Sequence, residues 1–311
     1  MNKHPLVYAI TLNWNRCEDT VACLESLNDL TYPNKTLLLV DNASDDGTAE
    51  VVTSRFPDIE IIANEHNLGF AAGFNVGIRR AFDQGADFVF IINNDAIIEE
   101  DALSEMMSLV EDDVGLIAPK IYYASEPDRI WSVGGMRQPM TIEMTGDAQG
   151  EIDSEKWSSV LERDYLVGCA LLISRRLYEK VGLFDERFYM YYEDSDLSLR
   201  ARQAGFRLLL SPRSHVLHKV AISSNGKGSP FERYWMAYSS VLFFRKHVKR
   251  WRWLIVIPYR TVSAVKTVWQ LFWQGRRKAM WAYVRGLRDG ILHSTIPEQV
   301  IGGKRANTGK D

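Results

Sequence analysis

Apolar residues in the first 110 positions fall into short runs, unbroken over 88–92, each stopping at a polar cluster with apolar residues at helical spacing behind it. Residues 7–12 end at Asn13-Trp14-Asn15, and Val21, Leu24 and Leu27 follow. Residues 36–40 end at Asp41-Asn42-Ala43-Ser44-Asp45-Asp46-Gly47-Thr48, a cluster of turn formers and helix caps. Residues 59–63 end in a polar stretch reaching Gly69, ahead of Phe70, Phe74, Ile78 and Ala81. Residues 88–92 end at Asn93-Asn94-Asp95, with Leu103, Met106, Met107 and Val110 marking the next helix. Runs without polar alternation suit strands buried on both faces. Four strand-then-helix units therefore predict a parallel sheet wound in the Rossmann manner. The polar clusters then lie at strand C-terminal ends, the edge where open α/β sheets bind ligands.

Residues 114–118 predict a fifth strand. Residues 125–163 have little periodicity and many Gly, Pro, Ser and charged positions, a loop or hairpin excursion of a length usually tied to function. Order resumes with a strand over 166–174 and a short helix over 178–181. Residues 184–197 lead into a helix carrying Leu197, Ala201 and Ala204 on one face. Residues 206–210 form a last strand before His215-Val216-Leu217-His218.

At 311 residues and 46% hydrophobic, the chain can form one α/β domain of about 220 residues with a C-terminal appendage. The formal net charge of −3 hides an asymmetry, because residues 231–291 are rich in Lys and Arg and poor in acids. Trp, Tyr and aliphatic residues there are mixed with Arg245, Lys246, Lys249, Arg250, Arg252, Arg260, Lys266, Arg276, Arg277 and Lys278. No uncharged apolar run approaches the length of a membrane span. The mixture suits helices lying in the interface of an anionic membrane, with packing on the catalytic body or on a second subunit as the alternative. No DNA- or RNA-binding module accompanies it, so a nucleic-acid partner is not expected.

The three cysteines are odd in number and lack zinc-site spacing, which predicts free thiols in a reducing cytoplasm. The apolar run at 6–12 is short and has no small-residue cleavage site, so export by a signal peptide is not expected. Gly-x-Gly-x-x-Gly is absent from the first turn and no Gly-Lys-Ser/Thr occurs, which disfavours a dinucleotide cofactor and a P-loop. An acid-rich cleft would repel a bare diphosphate. It implies a bridging Mg²⁺ or Mn²⁺ held by carboxylate and amide oxygens, with His218 as an additional ligand.

Five motifs in order carry a resemblance: Asp41-Asn-Ala-Ser-x-Asp-Gly-Thr48, Asn67-x-Gly-Phe-Ala-x-Gly-x-Asn-x-Gly77, Asn93-Asn-Asp95, Phe188-Tyr-Met-x-Tyr-Glu-Asp-x-Asp-Leu197 and His218-Lys-Val. Together the set resembles the GT-A fold, family 2 inverting glycosyltransferases, and within them the bacterial rhamnosyltransferase-like branch of cell-surface polysaccharide synthesis. The resemblance implies a GT-A catalytic domain over 1–230, with a nucleotide-sugar half near 1–120 and an acceptor half near 121–230. Residues 231–311 would form the basic, aromatic, helical C-terminal region, in contact with a membrane surface or in a homo-oligomer.

Carried over by position, Thr11 and Asn13 would line the nucleobase pocket and Asp41 would accept the N3–H of uracil or thymine, unless it only caps its own turn. Gly69 and Asn75 belong to the motif over the donor, while Phe70, Phe74 and Ile78 read as core. Asn93 and Asn94 would contact the nucleotide sugar, Asn93 at the ribose, where the family often has an acid. Asp95 and His218 would bind the metal, with His215 as the neighbour to be told apart. A Ser/Gly loop over 223–230 would close over the donor; on charge alone, and not from the resemblance, Lys219 or Lys227 would touch diphosphate oxygens. Asp194 would be the base that deprotonates the acceptor, Glu193 its near alternative, and Asp196 a structural acid pairing with Arg200. The same acids would also serve as helix caps. The implied activity is sugar transfer from a UDP- or dTDP-linked donor to a glycan or lipid-linked acceptor, at the inner face of the cell membrane. The alternatives are a nucleotidyltransferase making an activated sugar, disfavoured by the lack of a Gly-rich, Lys-bearing N-terminal loop, and a catalytically silent carbohydrate-binding relative.

Overall fold

The computed structural model describes residues 4–220 and 228–292. In chain order the strands are β1 (Val7–Asn13), β2 (Lys35–Asp41), β3 (Glu60–Ala63), β4 (Phe88–Asn93), β5 (Ala96–Ile98), β6 (Val114–Tyr123), β7 (Glu126–Ser132), β8 (Gly135–Arg137), β9 (Met144–Gly146), β10 (Leu161–Glu162), β11 (Ala170–Ser174) and β12 (Arg207–His218). The helices are α1 (Cys17–Asn28), α2 (Thr48–Arg55), α3 (Gly69–Asp83), α4 (Ala102–Met107), α5 (Arg175–Val181), α6 (Glu193–Gln203), α7 (Pro230–His247), α8 (Trp253–Trp273) and α9 (Arg277–Leu292).

The main sheet runs β10-β12-β6-β11-β4-β1-β2-β3, with β5 added on β12 and β7 on β6. Strands β4, β1, β2 and β3 are mutually parallel, as the strand-then-helix pattern predicts. Beyond them the sheet turns mixed, because β11 runs antiparallel to both β4 and β6. Side chains alternate between two apolar layers. Val7, Ala9, Leu39, Phe90 and Ile92 pack with α1 and α4, whereas Tyr8, Ile10, Leu38, Val40, Val89 and Ile91 pack with Phe74 and Ile78 of α3 and with α5 and α6. Both faces are covered, which is why the strands read as unbroken apolar runs.

Several boundaries differ from the sequence expectation. Strand β6 continues past residue 118 to Tyr123, and the last strand runs from Arg207 through His218, with its register shifted between Ser211 and His215. The strand expected over 166–174 begins only at Ala170, because the residues before it turn toward α6 and pair there. The aperiodic stretch over 125–163 holds β7, the β8-β9 hairpin and β10.

Helix α7 packs into the α/β body. Trp235 stacks on Tyr189 with ring centroids 4.5 Å apart, and Trp235, Tyr238 and Phe243 are fully buried. Among the described residues no helix is long and apolar enough to cross a membrane.

Candidate active site

Strand register brings the polar clusters together. Asn13 pairs with Asp41 across β1 and β2, and Leu12 pairs with Asn93 across β1 and β4, so three strand ends meet at one edge. The amide of Asn13 donates to Asp41 Oδ1 and to Ser44 Oγ, both at 2.8 Å. Its oxygen accepts from Thr20 Oγ1 at 2.7 Å and from Asn94 Nδ2 at 3.1 Å. Asp41 also accepts Ser44 N and Ser44 Oγ, so its carboxylate is bound up in its own turn.

A cavity of about 670 Å³ opens over this edge. Its wall includes Asn13, Gly69, Asn93, Asn94, Asp95 and His218 from the strand-end side and Glu193 and Asp194 from α6. Thr11, Asp41 and Asn75 stand behind that wall. Thr11 is fully buried against Cys23. Asn75 is fully buried and bridges α3 to the 184–186 segment, donating to Phe184 O and Glu186 Oε1 and accepting from Phe184 N. All three have hydrogen-bond partners within the protein, and the Asp41 carboxylate keeps acceptor capacity at Oδ2.

Asp95 and His218 meet because β5 pairs antiparallel with the end of β12, joining Ala96 to His218, while Lys219 N donates to Asp95 O at 3.0 Å. His218 Nε2 lies 3.1 Å from Asp95 Oδ1, yet off the axis of a hydrogen bond, and Oδ1 is left as a buried oxygen without a donor. His218 Nδ1 is likewise buried without a partner. Burial alone would push the imidazole pKa down, but the nearby Cys169 sulfur and the Asp95 carboxylate bring it up to about 10. Without a cation the pair shares a proton; a cation bound there would displace it, leaving an imidazole nitrogen and Asp95 Oδ1 as two converging ligands. His215, three residues earlier, points to the opposite face and pairs with Glu99 at 2.9 Å, as strand alternation dictates. Lys219 reaches Asp19 Oδ1 at 2.5 Å. Lys227 and residues 223–227 of the Ser/Gly loop lie outside the described residues.

Asp194 is held by four donors: Gly168 N at 3.1 Å, Tyr165 OH at 3.3 Å, Ser195 N at 2.6 Å and Ser195 Oγ at 3.3 Å. Burial raises its carboxyl pKa, and these donors pull in the opposite direction by favouring the anion. Glu193 is pushed well above the usual carboxylate range by burial and by the Asp194 charge, and its Oε2 has no partner. Two adjoining buried acids cannot both ionise cheaply, and the four donors favour the anion at Asp194 over Glu193. The turn before them is strained, since Tyr191 and Tyr192 both have φ of +68°, a backbone state that clusters at functional sites. Asp196 points the other way, paired with Arg200 Nε at 2.8 Å and with Lys246 and His247 of α7.

Gly69 joins the two halves. Its φ is +77°, and a Cβ there would lie 2.5 Å from Tyr189 O, the same carbonyl that accepts Phe70 N at 2.8 Å. Gly69→Ala is expected to cost on the order of 1–3 kcal/mol, read as a lowered denaturation midpoint; an unchanged midpoint would show that the 188–190 segment is free to retreat.

Sequence reasoning missed part of the wall. Asn42 lines it while bonding Gly69 O at 3.0 Å, and Trp131 lies edge-on to His218 at 4.5 Å. Glu143, Met144 and Asp147 come from the aperiodic excursion, whose length was the only signal. The Gly168 backbone donor left no trace in residue types.

A parallel β4-β1-β2-β3 half, a mixed half beyond it and a polar cavity at the strand ends fit a GT-A glycosyltransferase. The chain matches the family model Glycosyl transferase family 2 over residues 8–180 and belongs to that family. It is 27% identical over 229 residues to an N-acetylglucosaminyl-diphospho-decaprenol L-rhamnosyltransferase of Mycobacterium tuberculosis, covering 65% of this chain and 72% of that protein. It is 21% identical over 251 residues to dTDP-rhamnosyl transferase RfbF of Shigella flexneri, covering 78% and 80% respectively. These relatives put it in the bacterial rhamnosyltransferase-like branch. Among solved structures, the mannosyltransferase PcManGT from Pyrobaculum calidifontis, determined in complex with GDP-Man and Mn²⁺, shares the fold with a TM-score of 0.58, 17% identity and coverage of 95% of this chain and 78% of that one.

Proposed function

We propose that the protein is a metal-dependent inverting glycosyltransferase of bacterial cell-surface polysaccharide synthesis, working at the inner face of the cell membrane. It would move a sugar from a UDP- or dTDP-linked donor to a glycan or lipid-linked acceptor, with rhamnose favoured by the similarity to two rhamnosyltransferases. The observation that carries this reading is the meeting in one cavity of the Asp95–His218 pair with Asp194, whose carboxylate is held by four donors.

Asp95 and His218 would hold Mg²⁺ or Mn²⁺, which when bound offsets charge developing on the departing diphosphate. Among the described residues no cluster of three or more His, Cys, Asp or Glu forms a closed cage. A two-residue site suits a cation whose remaining ligands are substrate phosphates and water. Asp194 takes the acceptor hydroxyl proton as the new bond forms at the anomeric carbon and the bond to diphosphate breaks. A single displacement from the face opposite the leaving group inverts that centre, so no enzyme nucleophile is needed. Neutral Glu193 keeps a second negative charge away from the incoming hydroxyl.

The direct test is release of free nucleoside diphosphate from UDP- and dTDP-sugars only when acceptor is supplied, with NMR of the anomeric proton in the product. Donor cleavage without acceptor dependence, or a product of retained configuration, would overturn the reading. Asp95→Ala and His218→Ala are each expected to raise the Mn²⁺ concentration for half-maximal turnover by about tenfold or more. Unchanged Mn²⁺ titrations in both would remove these residues from the metal site.

A further inference from the structure

Helix α8 carries an apolar face that the rest of the fold does not use. Its inner face holds Val256 and Leu271, both buried, and Arg260, whose guanidinium bonds Ser240 Oγ at 2.7 Å and Glu143 Oε2 at 3.2 Å. On the opposite face Leu254, Val262, Val265, Trp269 and Trp273 are 62–82% exposed. At 100° per residue these five lie within about a third of the helix circumference. That stripe contains no charge, whereas residues 249–278 as a whole carry eight Lys and Arg and no acid. Lys249, Arg250 and Arg252 flank one end and Arg277 and Lys278 the other, while Arg276 bonds Gly228 O at 2.6 Å.

We infer that α8 lies in the interface of an anionic lipid bilayer, with Leu254, Val265 and Trp269 in the acyl boundary and the flanking cations among lipid headgroups. Three observations select this occupant. The stripe is far larger than scattered surface apolar residues, and no helix among the described residues can span a membrane. The cations at both ends complement an anionic surface. A second copy docking through the same face would bring two strongly positive segments together and be repelled. The placement deepens the proposed function, on which it rests for one point: Arg260 holds Glu143, a residue of the cavity wall that also accepts from Tyr192 OH at 3.1 Å. Docking through α8 would therefore set the cavity beside the bilayer, where a lipid-linked acceptor resides.

The experiment is co-sedimentation of the full chain with vesicles of phosphatidylcholine alone or with added phosphatidylglycerol, at low and high salt. Binding is expected only with phosphatidylglycerol, and it should weaken as salt is raised. The double variant Val265→Ser, Trp269→Ser should lose about tenfold or more in vesicle affinity. It should still bind UDP or dTDP with Mn²⁺ as wild type does, a readout that reports on the active site separately from docking. Equal partition to both vesicle types, or to neither, would overturn the placement. So would lipid-free self-association abolished by the same substitutions, which would assign the face to a second copy.

Discussion

Asp194→Asn is expected to fold, to bind nucleotide with Mn²⁺ and to turn over at least about a hundredfold more slowly than wild type, while Glu193→Gln stays within a few-fold. The contrast follows from the charge each acid carries. Four donors stabilise the Asp194 carboxylate, and the Asn amide cannot accept a proton. Burial and the Asp194 charge push Glu193 well above the usual carboxylate range and favour its neutral form, whose charge and shape Gln reproduces. Asp194→Ala should be as slow as Asp194→Asn. A base must be ionised, so wild-type turnover should rise with pH through the Asp194 pKa, which burial places above that of an ordinary aspartate. Reversal of the pattern, with Glu193→Gln inactive and Asp194→Asn active, would move the base to Glu193. Steady-state kinetics with calorimetric nucleotide binding on the same samples separates lost catalysis from lost fold.

Asp196→Ala is expected to cost about 3–5 kcal/mol of stability, the largest structural effect of any single substitution considered. Its carboxylate is fully buried, and removing it strips Arg200 of a counter-charge and His247 of a hydrogen-bond partner, while Lys246 keeps Asp185. Burial by itself would raise the Asp196 pKa, but His247, Arg200 and Lys246 outweigh it and hold the group below its ordinary value. A lowered folded-state pKa gives stability that is present above the unfolded value near pH 4 and disappears as pH falls through the folded one. The gap between wild type and Asp196→Ala, followed by urea unfolding, should therefore be full at neutral pH and shrink below about pH 4. A gap under about 1 kcal/mol at neutral pH would mean that α7 is anchored by its aromatic contacts alone.

The paired predictions show why neighbouring acids in one Glu-Asp-Ser-Asp run have separate fates. Helical spacing alone foretold the Asp196–Arg200 pair. It gave no hint of Lys246 and His247, about fifty residues later, because their approach depends on how α7 packs. The same holds for Asp41. Its position at a strand end was legible, but the satisfaction of its carboxylate by Asn13 and Ser44 is a matter of side-chain geometry. The family motifs name positions, and hydrogen bonding decides which polar atoms remain available to a ligand.

Local sequence determined the parallel half of the fold, since unbroken apolar runs and helical spacing depend only on neighbours along the chain. It also determined that Asn13, Asp41 and Asn93 would share an edge, because parallel strands align their ends. Tertiary structure alone decided the antiparallel insertion of β11, the closure of β5 on β12 that brings Asp95 to His218, and the seating of Tyr189 over Gly69. Those contacts join residues scores of positions apart, and their energy comes from shape and burial that no local pattern encodes. The charge on Asp194 belongs to the same class, because the Gly168 backbone N–H that helps to hold it is a group every residue but proline carries.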